Sequence, residues 1–205
     1  MRRTRSVLKM LGGLVEVQEK IDSREYDEAR ELLLKIEADV QREGIRSGHV
    51  HWMFGIVLDN LGEMPMALSH LEQAIELDPL SVPFHRSFDI VTNRIRASLV
   101  ADDREPGDPS TPRLYELLVR SGDADNDCHL AMARHHVHGG DHEAALRLLD
   151  AVTTLDPLHH EAWMLTASIA RRAGDAELAE RADIEAAATS AQGPGPFAVK
   201  GVAEG

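Results

Sequence analysis

The sequence predicts an all-α protein made of repeated pairs of short antiparallel helices, and three observations carry that prediction. Between Gly48 and Leu80 apolar residues recur at helical spacing in two runs: Trp52, Phe54, Ile56, Val57, Leu58 and Leu61, then Met64, Ala67, Leu68, Leu71, Ala74, Ile75 and Leu77. Gly62 separates the runs and Pro79 ends the second, as helix stop signals do. Next, Gly140 and Gly174 stand 34 residues apart, and Ala145 and Ala179 follow them in step, so the pattern repeats along the chain. Finally, aromatic residues make up only 4% of the chain, which suits helices packed through Ala and Leu and argues against a β sandwich. One such helix pair leaves apolar faces open, so each pair requires neighbours.

Taken in order, a first helix is expected from about Ser6 to Ile21, carrying Leu8, Leu11, Leu14, Val15 and Ile21. Its Gly12-Gly13 pair weakens it by roughly 0.5–1 kcal/mol per glycine relative to alanine. The second helix runs from Tyr26 to about Arg42, with Ala29, Leu33 and Ile36 on its packing face, and Arg24 stands where the later turns have glycine. Such an irregular first pair is what the cap of a repeat array shows. From Val82 to Asn126 the spacing is 44 residues, one period plus ten, and the polar run DDREPGDPST at 102–111 accounts for the excess. The third pair is therefore expected to be atypical: a long first helix from Pro83 to about Ala101, an inserted loop at 102–111, and a short second helix from Pro112 to Ser121 announced by Thr111-Pro112. Further pairs start near Asn126 and after Pro157, and the last ends on the alanine-rich helix from Ala176 to Ala188. Residues 1–9 read as a basic N-terminal arm, 10–189 as the repeat domain, and 190–205, rich in Gly and Pro, as a disordered tail.

With 205 residues, 43% of them hydrophobic and 28% charged, the chain has the composition of a globular protein with a sizeable core. Its formal net charge of −13 opposes binding to a phosphate backbone, so no nucleic-acid partner is expected. One cysteine, Cys128, cannot form an intramolecular disulfide, Lys9 and Glu16 interrupt the apolar run at the N-terminus, and no window holds the roughly 18 apolar residues a membrane span requires. These features point to the cytoplasm and to no membrane partner.

No nucleophile with a base, carboxylate pair or phosphate loop is visible, so catalysis is not expected and no cofactor is called for. Gly12-Gly13 and Gly139-Gly140 lack the Lys-Ser/Thr of a phosphate loop. Among eleven histidines, His135, His138 and His142 are the weak metal candidates: the first two are three apart on one helix and the third lies just beyond the turn, but the paired spacing of zinc motifs is missing. The expectation is no metal.

Phe54-Gly55, Gly62, Ala67, Leu71, Ala74 and Asp78-Pro79 resemble the landmarks of a tetratricopeptide repeat, as do Trp163, Ala167, Gly174, Ala179 and Ala186 further on. The resemblance implies a right-handed superhelical solenoid of about five helix pairs and a non-catalytic scaffold or adaptor that holds a partner peptide or helix in a concave groove. The family's groove positions fall here on His49, Trp52, Ile56 and Asn60, then Arg86, Asn93 and Arg94. Further along they fall on Leu130, Arg134 and His138, then Met164 and Arg171. Apolar anchors flanked by arginine imply a partner with acidic and hydrophobic residues. The Lys/Asn carboxylate clamp of chaperone-binding members is not reproduced by Met53, Ile56, Arg134 and Leu165, so a chaperone tail is not expected. Two alternatives stand beside this reading: a scaffold that assembles with itself, as a homo-oligomer, through the exposed face of its last helix, and a metal-responsive regulator using the histidine cluster.

Overall fold

The computed structural model describes residues 2–101 and 103–191, with side chains described from Leu8 to Ser190. Every regular element among the described residues is an α-helix. They form two units, residues 1–98 and 99–205, each considered by itself.

The first unit holds α1 (Arg2–Asp22), α2 (Tyr26–Arg42), α3 (Gly48–Asn60), α4 (Met64–Leu77) and α5 (Val82–Leu99), the last of which runs up to the unit boundary. Helices α1 and α2 form one antiparallel pair, α3 and α4 the next, and α2 packs on α3. The α1–α2 turn puts Arg24 at φ 60°, the left-handed region, where Gly62 stands at φ 79° in the α3–α4 turn. Within the second pair, the close approach is made by Gly55: a Cβ there would lie 2.5 Å from Leu71 of α4. Small buried Ala67 and Ala74 serve the same approach from α4. Phe84, near the start of α5, is buried, with its ring centroid 5.2 Å from that of His49 and 5.8 Å from that of Trp52, so α5 is seated on α3 by aromatic packing.

Two boundaries differ from the sequence reading. Helix α1 begins at Arg2, not Ser6, because nothing from Arg2 to Val7 breaks a helix, so the residues read as an arm supply its first turns. The tail expected at 190–205 begins with Ser190 and Ala191 still inside the last helix; the remainder lies outside the described residues.

The second unit holds α6 (Thr111–Ser121), α7 (Asn126–Gly139), α8 (His142–Leu155), α9 (His160–Ala173) and α10 (Ala176–Ala191). Helix α6 packs on α7, α7 pairs with α8, α8 packs on α9, and α9 pairs with α10. The core joins Leu130 and Ala133 of α7 to Ala145, Leu149 and Val152 of α8 and to Ala162 and Ile169 of α9, then continues as Trp163, Ala167, Ala182 and Ala186 between α9 and α10. The turns inside the α7–α8 and α9–α10 pairs follow one rule. A glycine in the left-handed region ends one helix (Gly140 at φ 80°, Gly174 at φ 78°), and the next residue caps the following helix, Asp141 accepting from the Ala144 amide and Asp175 from the Leu178 amide, both at 3.0 Å.

The third pair has the expected long first and short second helix, α5 with 18 residues and α6 with 11, but α5 ends at Leu99, short of Ala101, and Thr111, expected in the loop, opens α6. The connection between them, 100–110, is organised by Arg104, whose side chain is nearly buried. Its Nη1 lies 3.0 Å from Asp108 and donates to the hydroxyls of Ser110 at 3.0 Å and of buried Thr111 at 3.1 Å. Asp108 in turn accepts from the backbone N–H and hydroxyl of Ser110, which holds its carboxyl below the usual carboxylate range.

Candidate functional site

Each unit presents a stretch of the first-helix stripe on which the groove positions fall. In the first unit, Arg86, Asn93 and Arg94 of α5 are exposed, and between them Ile90 is 45% exposed. Arg94 reaches Asp59 of α3 at 2.5 Å, and Asp59 itself is almost buried. Of the α3 positions, His49 and Asn60 are exposed, Ile56 is half-buried, and Asn60 Nδ2 donates to the Ile56 carbonyl at 2.8 Å.

Trp52 has a more constrained place than its register position suggests. Its indole N–H donates to Ser87 Oγ at 2.8 Å and its ring packs on Phe84, so it joins α3 to α5. Only a minor part of its surface remains open, and the polar end of the ring is already satisfied.

In the second unit, Arg134 and His138 of α7 and Arg171 of α9 are exposed, and Met164 of α9 is 51% exposed. Arg134 is ion-paired with Glu161 of α9, and Arg171 with Asp183 of α10. Leu130 differs: it is 4% exposed and packed in the α7–α8–α9 core, so its side chain serves packing. Periodicity could not separate these outcomes, because the α7 face toward α8 and α9 and the open face adjoin one another.

The inserted connection lies along α7. A Cβ at Gly107 would come within 2.6 Å of the His138 ring, and residues 104–106 line with Ala131 and Arg134 a cleft of only about 30 Å³. Ala131, Arg134, His135 and His138 form a single helical stripe, at i, i+3, i+4 and i+7. Beyond the insertion's edge lies an open cavity of about 420 Å³ lined by Pro106, Arg134, Val137, His138, Leu165 and Arg172. Leu165 and Pro106 were not legible as lining residues: Leu165 falls beside the stripe in the repeat register, and the insertion has no register. The Gly107-Asp108-Pro109-Ser110 turn signal shows that the loop is shaped, not which helix it covers.

Among the described residues no three metal-ligating side chains converge. His138 faces Gly107, and His136 Nδ1 lies 3.6 Å from Asp141. A second cavity, of about 360 Å³, lies in the first unit between α1 and α2, away from the stripe, with Met10, Gly13, Leu32 and Ile36 in its wall. At its rim Lys9 donates to Asp39 at 2.6 Å, holding that carboxyl below the usual carboxylate range.

In the first unit His51 and His70 form a half-buried pair, Nδ1 to Nδ1 at 3.1 Å, with His70 stacked on Phe54 at 4.6 Å between centroids. Burial pushes both imidazoles below their ordinary value; Glu37 opposes that shift at His51, while Arg46 adds to it. No helix among the described residues is long and apolar enough to cross a membrane.

The tetratricopeptide repeat family model matches residues 130–195. No curated protein matches the chain significantly. Among solved structures, a crystal structure of MamA is similar at 13% identity and TM-score 0.40, covering 86% of this chain and 95% of that one. MamA from AMB-1 is similar at 13% identity and TM-score 0.42 over 91% and 94%, and MamA 41-end from Desulfovibrio magneticus RS-1 at 15% identity and TM-score 0.38 over 90% and 97%. At those scores the likeness adds nothing to the assignment, which rests on the matched repeats and on the turn glycines and packing alanines at their places. Residues 130–195 are similar to the tetratricopeptide repeat family, and that stretch carries the resemblance.

Proposed function

We propose that the chain is a non-catalytic protein-interaction scaffold of the cytoplasm that binds a partner segment, rich in acidic and hydrophobic residues, along its first-helix stripe. The observation that carries this reading is the character of the exposed stripe. In a chain of net charge −13, the open stripe positions of α5 and α9 include Arg86, Ile90, Asn93 and Arg94, and Met164, Arg171 and Arg172, with Glu161 the one exposed carboxylate among them and paired with Arg134. On each unit by itself an apolar group beside arginine, Ile90 in the first and Met164 in the second, suits an amphipathic acidic segment whose carboxylates meet the guanidinium groups.

The test is affinity capture from native lysate with three forms of the full chain: wild type, Met164→Glu on the stripe, and Arg147→Glu on the outer face of α8. At unchanged melting temperature, at least one protein recovered in near-stoichiometric amount by wild type and Arg147→Glu should fall at least fivefold with Met164→Glu. Equal recovery by all three forms refutes the stripe as the binding surface.

A second reading, self-assembly through the last helix, is favoured by Ile184, which stands 62% exposed on the alanine-rich α10. Light scattering across a hundredfold concentration range checks it: a mass that rises with concentration and stays monomeric in Ile184→Lys supports assembly through α10, and a constant monomer mass excludes it.

A further inference from the structure

The insertion, described at 103–110, is the part of the chain that no repeat requires, yet it is fastened and it is placed. Arg104 ties it to Asp108, Ser110 and Thr111, and Gly107 lies against His138 so closely that a methyl group would not fit without displacing the ring. It therefore lies along the stripe from Ala131 to His138 on α7, and its edge at Pro106 borders an open cavity that a partner side chain can enter. Resting on the scaffold reading above, we propose that the insertion is a built wall of the binding site, and that the cavity it bounds receives one acidic side chain of the partner together with a neighbouring aliphatic side chain.

The lining dictates that chemistry. Its walls offer two guanidinium groups, one imidazole and the apolar surfaces of Pro106, Val137 and Leu165, with no carboxylate among them. Arg134 shares its charge with Glu161, whereas Arg172 makes no ion pair among the described residues, so its guanidinium has no carboxylate to give up before a ligand arrives. A volume of about 420 Å³ lies within the roughly 300–1,000 Å³ of pockets that hold small ligands or a few side chains. A carboxylate can meet the Arg172 fork in two parallel hydrogen bonds while the aliphatic neighbour lies on Val137 and Leu165. The acidic body of the chain disfavours nucleic acid in the same place.

The probes are the blocked tripeptides acetyl-Leu-Glu-Leu-amide and acetyl-Leu-Gln-Leu-amide, titrated to millimolar concentration into the isotope-labelled full chain and followed by backbone amide shifts. The expected result is saturable movement of the Gly107, His138, Leu165 and Arg172 signals by the Glu peptide, with affinity at least fivefold weaker for the Gln peptide. Arg172→Ala should remove most of that difference. Pro106→Asp, an exposed loop change that leaves the helices intact, should weaken the Glu peptide more than the Gln peptide, because it places a carboxylate on the wall. Equal binding of the two peptides, shifts that map elsewhere, no shifts at all, or indifference to Pro106→Asp each overturn the proposal. Sodium phosphate that moves the same signals as strongly as the Glu peptide overturns it too, by making the cavity a general anion site. Peptide binding that vanishes in wild type and reappears only when residues 192–205 are deleted makes the chain's own tail the occupant, and that also overturns it. The two readings fail separately: loss of peptide discrimination with Met164→Glu still losing its partner leaves the scaffold, and peptide discrimination with no partner lost leaves the cavity.

Discussion

At the scale of the residue, the turn between α1 and α2 shows what a repeat gives up when it departs from its pattern. Arg24 adopts φ 60°, a conformation that glycine enters freely and other residues enter at a cost. Arg24→Gly should raise stability by about 0.5–1 kcal/mol, the relief of strain outweighing the added entropy of the unfolded chain; a lower chemical-denaturation midpoint would contradict this. Trp52 sits at the other extreme, since it is tied to Ser87 and Phe84. Being half-buried, it should cost about 2 kcal/mol as Trp52→Ala, less than the roughly 3–5 kcal/mol of a fully buried tryptophan, so its loss should appear in the melting curve before it appears in binding. The His51–His70 pair makes a pH prediction. Burial lowers both values from 6.5, so the neutral pair is the folded form. Its contribution is complete above about pH 6.5 and is lost as pH falls through the lowered folded-state values. In melts between pH 7.5 and pH 5, wild type should lose more stability than the double variant His51→Gln/His70→Gln; parallel curves would show the pair to be indifferent to protonation.

At the scale of the element, the sequence was most informative where one residue type alone satisfies the backbone or the approach. Gly140-Asp141 and Gly174-Asp175 announce both the end of one helix and the cap of the next, and both functions are present. Asp141→Ala should therefore cost about 1 kcal/mol, read as a lowered denaturation midpoint. Gly55 was legible as the small partner of a large neighbour, and its place 2.5 Å from Leu71 for any Cβ explains why. Gly55→Val should cost about 1–3 kcal/mol by forcing α3 and α4 apart, and an unchanged midpoint would mean that the pair separates without resistance. The sequence was silent where an outcome depends on what lies across a gap. Leu130 reads as a groove position and is core, because α8 and α9 close over it. The insertion reads as ten extra polar residues, and only in three dimensions does it lie on α7.

At the scale of the whole molecule, the all-α repeat architecture follows from periodicity, and the proposed interaction role rests on the repeat. What the composition did not show is where charge is concentrated. The chain is strongly acidic in sum, while its open first-helix positions carry arginine beside Ile90 and Met164. That contrast, visible only once the register is fixed, is the basis for a partner with acidic and apolar residues. The most direct measurement places a photoreactive phenylalanine singly at Ile90, Met164 and Asp150 in the full chain and illuminates native lysate. Partner adducts from position 90 on the first unit and from position 164 on the second, and none from position 150 on helix α8, are the predicted result. Adducts from position 150 alone, or equal adducts from all three, would contradict binding along the first-helix stripe.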